Sequence, residues 1–244
     1  MTECVSATTP GNKQKKAGLQ VNSCFNFNTS TGHLEMELQF TNQSGDAISG
    51  FDLMINKNSF GVGTDGSCQS LGITFPAPFE TSPVQIVPLK IDKKNADVKN
   101  PPKHPFTLQI ALKSSLDIFY FNVPCLLHCL INRDAKMTKD EFGKFWGMIT
   151  AEKTYEIEYS RSDLYKGFTN LPGDVVQCLE NNGFVQFQET AQMCFGAKTV
   201  NNLPLLFSVE HPHNGDGLKV TYKIPVMPLK PLLVDAINHI FTRK

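Results

Sequence analysis

Between residues 113 and 146 the hydrophobic rhythm of this chain changes period, and that change limits the folds open to it. Upstream, apolar residues recur at every second position. HLEMELQF at 33–40 alternates strictly: Leu34, Met36, Leu38 and Phe40 face one side, Glu35, Glu37 and Gln39 the other. A period of two marks a half-buried antiparallel strand. Residues 49–55 read as the next strand, with Phe51, Leu53 and Ile55 on one face; Phe106, Leu108, Ile110 and Leu112 repeat the pattern, and residues 70–75 and 84–91 add further strands between Pro- and Gly-rich turns. Short strands punctuated this regularly predict an all-β sandwich of immunoglobulin-like size, although the Cys…Trp…Cys spacing of true immunoglobulins is absent.

The 113–146 stretch closes that pattern and opens another. IFYF at 118–121 is aromatic and strand-favouring, and an apolar run follows at 125–131. Residues 138–149 then read as a helix. Thr138 is a good N-cap, Glu141 stands at the capping-box position, and Phe142, Phe145, Trp146 and Ile149 share one face. Beyond it, TYEIEYS at 154–160 alternates again. A short helix is expected with Asp174 as N-cap and Gly183 as the left-handed residue after its end. Strands are expected at 184–187, 193–200, 205–210 and 218–224. The last helix, 231–241, carries Pro231 in its first turn and Leu233, Ala236, Ile237, Ile240 and Phe241 on one face. The second half is therefore α+β, an antiparallel sheet with helices. The expected division is a flexible tail at 1–17, a β-sandwich at 18–123 and an α+β platform at 124–244.

Composition narrows the function. With 23 basic and 23 acidic residues the formal charge is zero, which argues against a nucleic-acid footprint. No apolar run reaches the roughly 18 residues a membrane span needs. The N-terminus lacks a secretory h-region, and the odd count of 7 cysteines reads as free thiols in a reducing compartment. Cys125-Leu-Leu-His-Cys129 fits no common zinc framework, so no metal and no cofactor are expected. No P-loop, G-x-S-x-G, G-x-G-x-x-G or H-E-x-x-H is present. An enzymatic alternative would have to use His211, His213 and Asp216. A polar loop between strands is the better reading of them. Glu156 and Glu158 share a strand face and read as solvated. Trp146, the single tryptophan, is either core or a surface anchor for a partner.

Several segments resemble the appendage, or ear, of the β large subunits of clathrin adaptor complexes. They are EMELQFTN at 35–42, NKNSFG at 56–61, LQIALK at 108–113, DIFYF at 117–121 and 136–146. The resemblance implies a β-sandwich followed by an α/β platform, and a non-enzymatic module. Such a module would be cytoplasmic and peripheral on coated membranes. It would bind short Phe/acidic peptide motifs of accessory and cargo-adaptor proteins, and an N-terminal hinge would join it to the rest of the adaptor complex. A coatomer-type appendage is the related alternative. By the same resemblance Trp146 is the platform tryptophan, Lys139 a basic residue of its helix and Phe195 the platform tyrosine without its hydroxyl. Phe142, Glu152 and Glu210 complete the platform site, and Tyr120 and Lys113 match a side site on the sandwich. Thr190 stands in place of the family's platform arginine, and Thr154 and Val209 in place of its acidic residues. The resemblance therefore implies a more apolar platform that selects Phe/Leu-rich peptides.

Overall fold

The structure, a computed structural model, describes residues 2–4, 18–28, 33–44, 46–66, 68–75, 81–92, 96–97, 100–189, 192–211 and 217–242. The chain divides into two compact units. The first comprises Met1–Pro102 and Phe106–Cys125, the second Lys103–Pro105 and Leu126–Lys244.

The first unit is a sandwich. One sheet has five strands in the order β1 (Thr2–Cys4), β2 (Leu19–Asn28), β3 (His33–Asn42), β9 (Gln85–Ile91) and β6 (Val62–Gly63). The other has four: β11 (Ile118–Pro124), β10 (Thr107–Lys113), β5 (Asp52–Ile55) and β7 (Gln69–Ser70). A two-stranded ribbon pairs β4 (Ile48–Ser49) with β8 (Thr74–Phe75). Alternation decides what lies inside: Leu34, Met36, Leu38 and Phe40 from β3 meet Leu53, Leu108, Ile110, Leu112, Phe119 and Phe121 in the core. Two differences from the sequence reading stand out. Thr2–Cys4, within the stretch expected to be a tail, pairs antiparallel with Val21–Ser23 as an edge strand. The run expected as one strand at 49–55 breaks at Gly50, whose φ of +65° turns the chain from the ribbon into the sheet.

NKNSFG at 56–61 is an internally bonded loop. The Asn58 amide donates to the carbonyls of Val62 (2.7 Å) and Asn56 (3.1 Å). Its Oδ1 accepts from the backbone N–H of Val62 (3.0 Å) and Phe60 (3.3 Å). One side chain thus stands in for a turn of backbone. Gly61 completes the loop at φ +72°, where an added Cβ would lie 2.5 Å from the Asp92 carbonyl oxygen.

In the second unit one antiparallel sheet has the order β12 (Thr154–Tyr159), β16 (Leu218–Lys223), β15 (Pro204–Glu210), β14 (Gln192–Lys198) and β13 (Val185–Glu189). The central strands β14 and β15 are buried on both faces. Phe195, Phe207 and Tyr222 are register neighbours and point to one face, where Phe195 stacks on Phe207 and Phe207 lies tilted against Tyr222. The helix α3 (Lys230–Thr242) covers that face, with Phe241 against Tyr159 and the Tyr159 hydroxyl bonded to Asn238. Burial raises the Tyr222 phenol far above its ordinary pKa, so it serves as a neutral hydrogen-bond partner of Tyr159 at 3.2 Å. The helix α1 (Lys139–Met148) covers the opposite face, packed on Cys194 and Leu206. The helix α2 (Gly173–Asn181) ends as expected in Gly183 at φ +91°. Its expected N-cap is corrected. Pro172 holds the cap position, and Asp174 instead accepts from the backbone N–H of Thr169 (2.6 Å) and Asn170 (2.7 Å), tying down the preceding loop.

Replacing Asn58 with alanine takes the side-chain partner from two backbone N–H groups and two carbonyls of a loop that is buried at Asn58, Phe60 and Val62. The sandwich should lose about 2–4 kcal/mol in denaturant unfolding. A loss under about 0.5 kcal/mol would show that solvent replaces the amide.

Candidate functional site

The α1 helix forms where its sequence says it should. Thr138 Oγ1 accepts from Glu141 N–H at 3.2 Å while Glu141 Oε2 accepts from Thr138 N–H at 2.8 Å, a complete capping box. Glu141 also takes the Lys198 ammonium from β14 at 2.9 Å. The Thr138 N–H and the lysine together hold the Glu141 carboxyl below the ordinary carboxylate range. The helix start is therefore fastened to the sheet beneath it.

Downstream of that anchor the aromatic residues form a row. Phe187 stacks on Phe142 with ring centroids 4.5 Å apart, and Phe142 on Trp146 at 5.1 Å. Phe142 is buried, whereas Phe145, Trp146, Ile149 and Phe187 are half-buried. Lys223 at the end of β16 closes the row. Its Nζ sits 4.3 Å from the Trp146 ring centroid and donates to the Trp146 carbonyl at 3.1 Å, capping the last turn of α1. The indole N–H has no hydrogen-bond partner among the described residues.

The same sheet face continues away from α1 as a polar strip. Register pairs Glu156 with Thr221, Thr221 with Ser208, and Ser208 with Cys194. The next row pairs Glu158, Lys219, Glu210 and Gln192. Lys219 Nζ bonds Glu156 at 2.9 Å, and this bond, with Glu210 and Glu158 nearby, raises its pKa. Three carboxylates thus surround one ammonium. Between them and Trp146, Ser208 and Cys194 are buried; burial pushes the Cys194 thiol up and keeps it protonated.

Of the residues expected to form the platform site, the structure brings Trp146 and Phe142 together and places Glu210 on the same sheet face. Lys139 is exposed at the first turn of α1. Glu152 is exposed on the 3-10 turn Ala151–Lys153, with no hydrogen bond or ion pair among the described residues. Phe195 is corrected. It is fully buried on the α3 face, stacked on Phe207 at 5.5 Å, and touches no surface. The residue on the α1 face is its neighbour Gly196, and the aromatic ring there is Phe187. A sequence signal for Phe187 existed: it lies three positions from Phe184, and an odd offset in a strand reverses the face. Lys223 was readable in the same way, as the polar member of the Lys219, Thr221, Lys223 alternation. Val209 is a buried α3-face residue, and its neighbour Glu210 supplies the charge on the other side. Thr190, His213 and Asp216 lie outside the described residues.

On the sandwich, Tyr120 is 65% exposed and pairs across β10 through Ala111 with Met54, itself 46% exposed. Lys113 is exposed one row away, between Ile118 and Asp52. Among the described residues no group of three His, Cys, Asp or Glu side chains is placed to hold a metal.

Fold and surface together define a sandwich unit plus a platform unit that bears an aromatic, lysine-capped helix face beside a carboxylate-rich strip. No family model matches the chain. Over 144 residues, 59% of the chain, it is 28% identical to the AP-1 complex subunit beta-1 of Rattus norvegicus and of Homo sapiens. The Mus musculus protein of the same name is 27% identical over the same length. The matched segment is 14% of each relative's length. This distant similarity supports an adaptin relationship.

The two aromatic positions should separate on mutation. Phe195→Ala empties a sealed site and should lower stability by about 3–5 kcal/mol, whereas Trp146→Ala, at a half-exposed site, should lower it by less than about 2 kcal/mol. Equal losses in urea unfolding would place Trp146 in the core.

Proposed function

We propose that this chain is a peptide-capturing appendage of an adaptin-type subunit in clathrin-adaptor vesicle transport, and not an enzyme. The observation that supports this reading is the α1 face of the platform unit. A rigid, half-exposed tryptophan backed by stacked aromatics is the kind of surface that anchors an apolar side chain with little loss of side-chain entropy. The Glu156, Glu158 and Glu210 strip gives the same surface a polarity. A ligand seats a Phe or Leu near Trp146 and a basic residue toward the carboxylates. Lys223, beside the indole, suits an acidic residue flanking the anchor. The partners are accessory and cargo-adaptor proteins that present such short linear motifs, and the module works peripherally on coated membranes. No helix among the described residues is long and apolar enough to cross one. The exposed row Tyr120, Ala111 and Met54, with Lys113, is the second contact surface in this reading. Small footprints bind weakly, and repeated motifs then supply avidity.

The test is anisotropy of a labelled synthetic peptide carrying two Phe residues, flanking Asp and a C-terminal Arg. The natural chain should bind with a Kd on the order of micromolar. Trp146→Ala should weaken binding at least about tenfold, a loss of about 1.4 kcal/mol. Glu156→Gln/Glu210→Gln should weaken the arginine peptide several-fold and leave an arginine-free version unchanged. Phe195→Leu should bind as the natural chain does. Full binding by Trp146→Ala would remove the platform site, and loss only in Tyr120→Ala would move the function to the sandwich.

A further inference from the structure

The CLLHC run found no role as a metal framework, and its histidine is placed for something else. Leu127–Leu130 is a single 3-10 turn, and α3 packs on it. His128 on that turn and His239 in the last turn of α3 lie ring over ring, 5.7 Å between centroids and 7° from parallel. The rings are parallel and displaced from one another, and among the described residues no group of three His, Cys, Asp or Glu side chains is placed to hold an ion. His128 Nδ1 is buried and has no hydrogen-bond partner among the described residues. The titratable and charged groups that face His128 are His239 from α3 and Arg133 from the segment after the turn, and Cys129 lies against Arg133. Both facing groups are basic. The acidic group of that part of α3, Asp235, is one turn before His239 and is already engaged by His104 at 2.5 Å.

We propose that the His128–His239 stack is an acid-operated latch, which holds α3 on the 127–130 turn while the His128 imidazole is neutral and releases it when that ring takes up a proton. A proton on His128 Nδ1 finds no acceptor among the described residues and faces two basic groups at a buried atom of a half-buried ring. Burial first, then His239 and Arg133, lower its pKa from the ordinary 6.5 to about 4 in the folded chain. A lowered histidine pKa means that the released state binds more protons. The latch is therefore at full strength above pH 6.5 and weakens progressively toward pH 4.

Hydrogen exchange of the 230–242 segment in the full chain, corrected for the intrinsic rate, tests the latch. Between pH 7 and pH 5 the opening of α3 should increase about twentyfold in the natural chain. In His128→Phe, which keeps a ring in the stack without the proton site, the increase should be under about threefold. His104→Gln should retain the natural response. Should His128→Phe fail to fold, titration of the His128 ring by NMR in the natural chain decides: protonation only below about pH 5 supports the latch. An equal response in natural and His128→Phe chains, or a His128 ring that titrates near its ordinary value, overturns it.

Discussion

The platform unit depends on the close approach of α1 to strand β14 at Gly196. A Cβ there would lie 2.8 Å from Met137 Sδ and 3.0 Å from both the Phe142 and Phe187 rings. The missing side chain is what lets the aromatic row settle onto the sheet, and the row in turn presents the indole of Trp146. The two ends of the helix are pinned by lysines from different strands, Lys198 at its start and Lys223 at its finish. Position and tilt of the helix are therefore set by the sheet, not by the helix's own propensity, which in 10 residues that include two glycines is modest.

Much of this was readable in advance, for stated reasons. Strict alternation in β3 and β10 gave both strand and face, because a half-buried sheet leaves no other explanation. Thr138 and Glu141 gave the start of α1 to the residue, because a capping box is local chemistry. The errors are equally physical. The resemblance places Phe195 on a surface, and in a strand a slip of one residue reverses the face. Asp174 looked like a cap because Asp is a cap residue, yet its carboxylate was drawn to two nearer N–H groups. The buried Nδ1 of His128 depends on a helix more than a hundred residues downstream in the chain, and nothing local encodes it.

Electrostatically the unit works by arrangement rather than by excess. A chain of zero formal charge carries no long-range field worth the name. Within one sheet face, however, a carboxylate group around Lys219 lies on the strip beyond a lysine-capped aromatic row. Alternation segregates these charges from the α3 core on the same strands, so Glu210 and Val209, adjacent in sequence, belong to different chemical environments.

The Asn58 loop bears on how a shared motif should be read. Its amide satisfies four backbone groups of its own loop, and Gly61 leaves no room for a side chain. Both N–H groups and both lone pairs of the Asn58 amide are used within the loop. Similarity across NKNSFG is thus testimony about shape: a relative that keeps these residues keeps a corner of the sandwich, and is free to change every partner it meets.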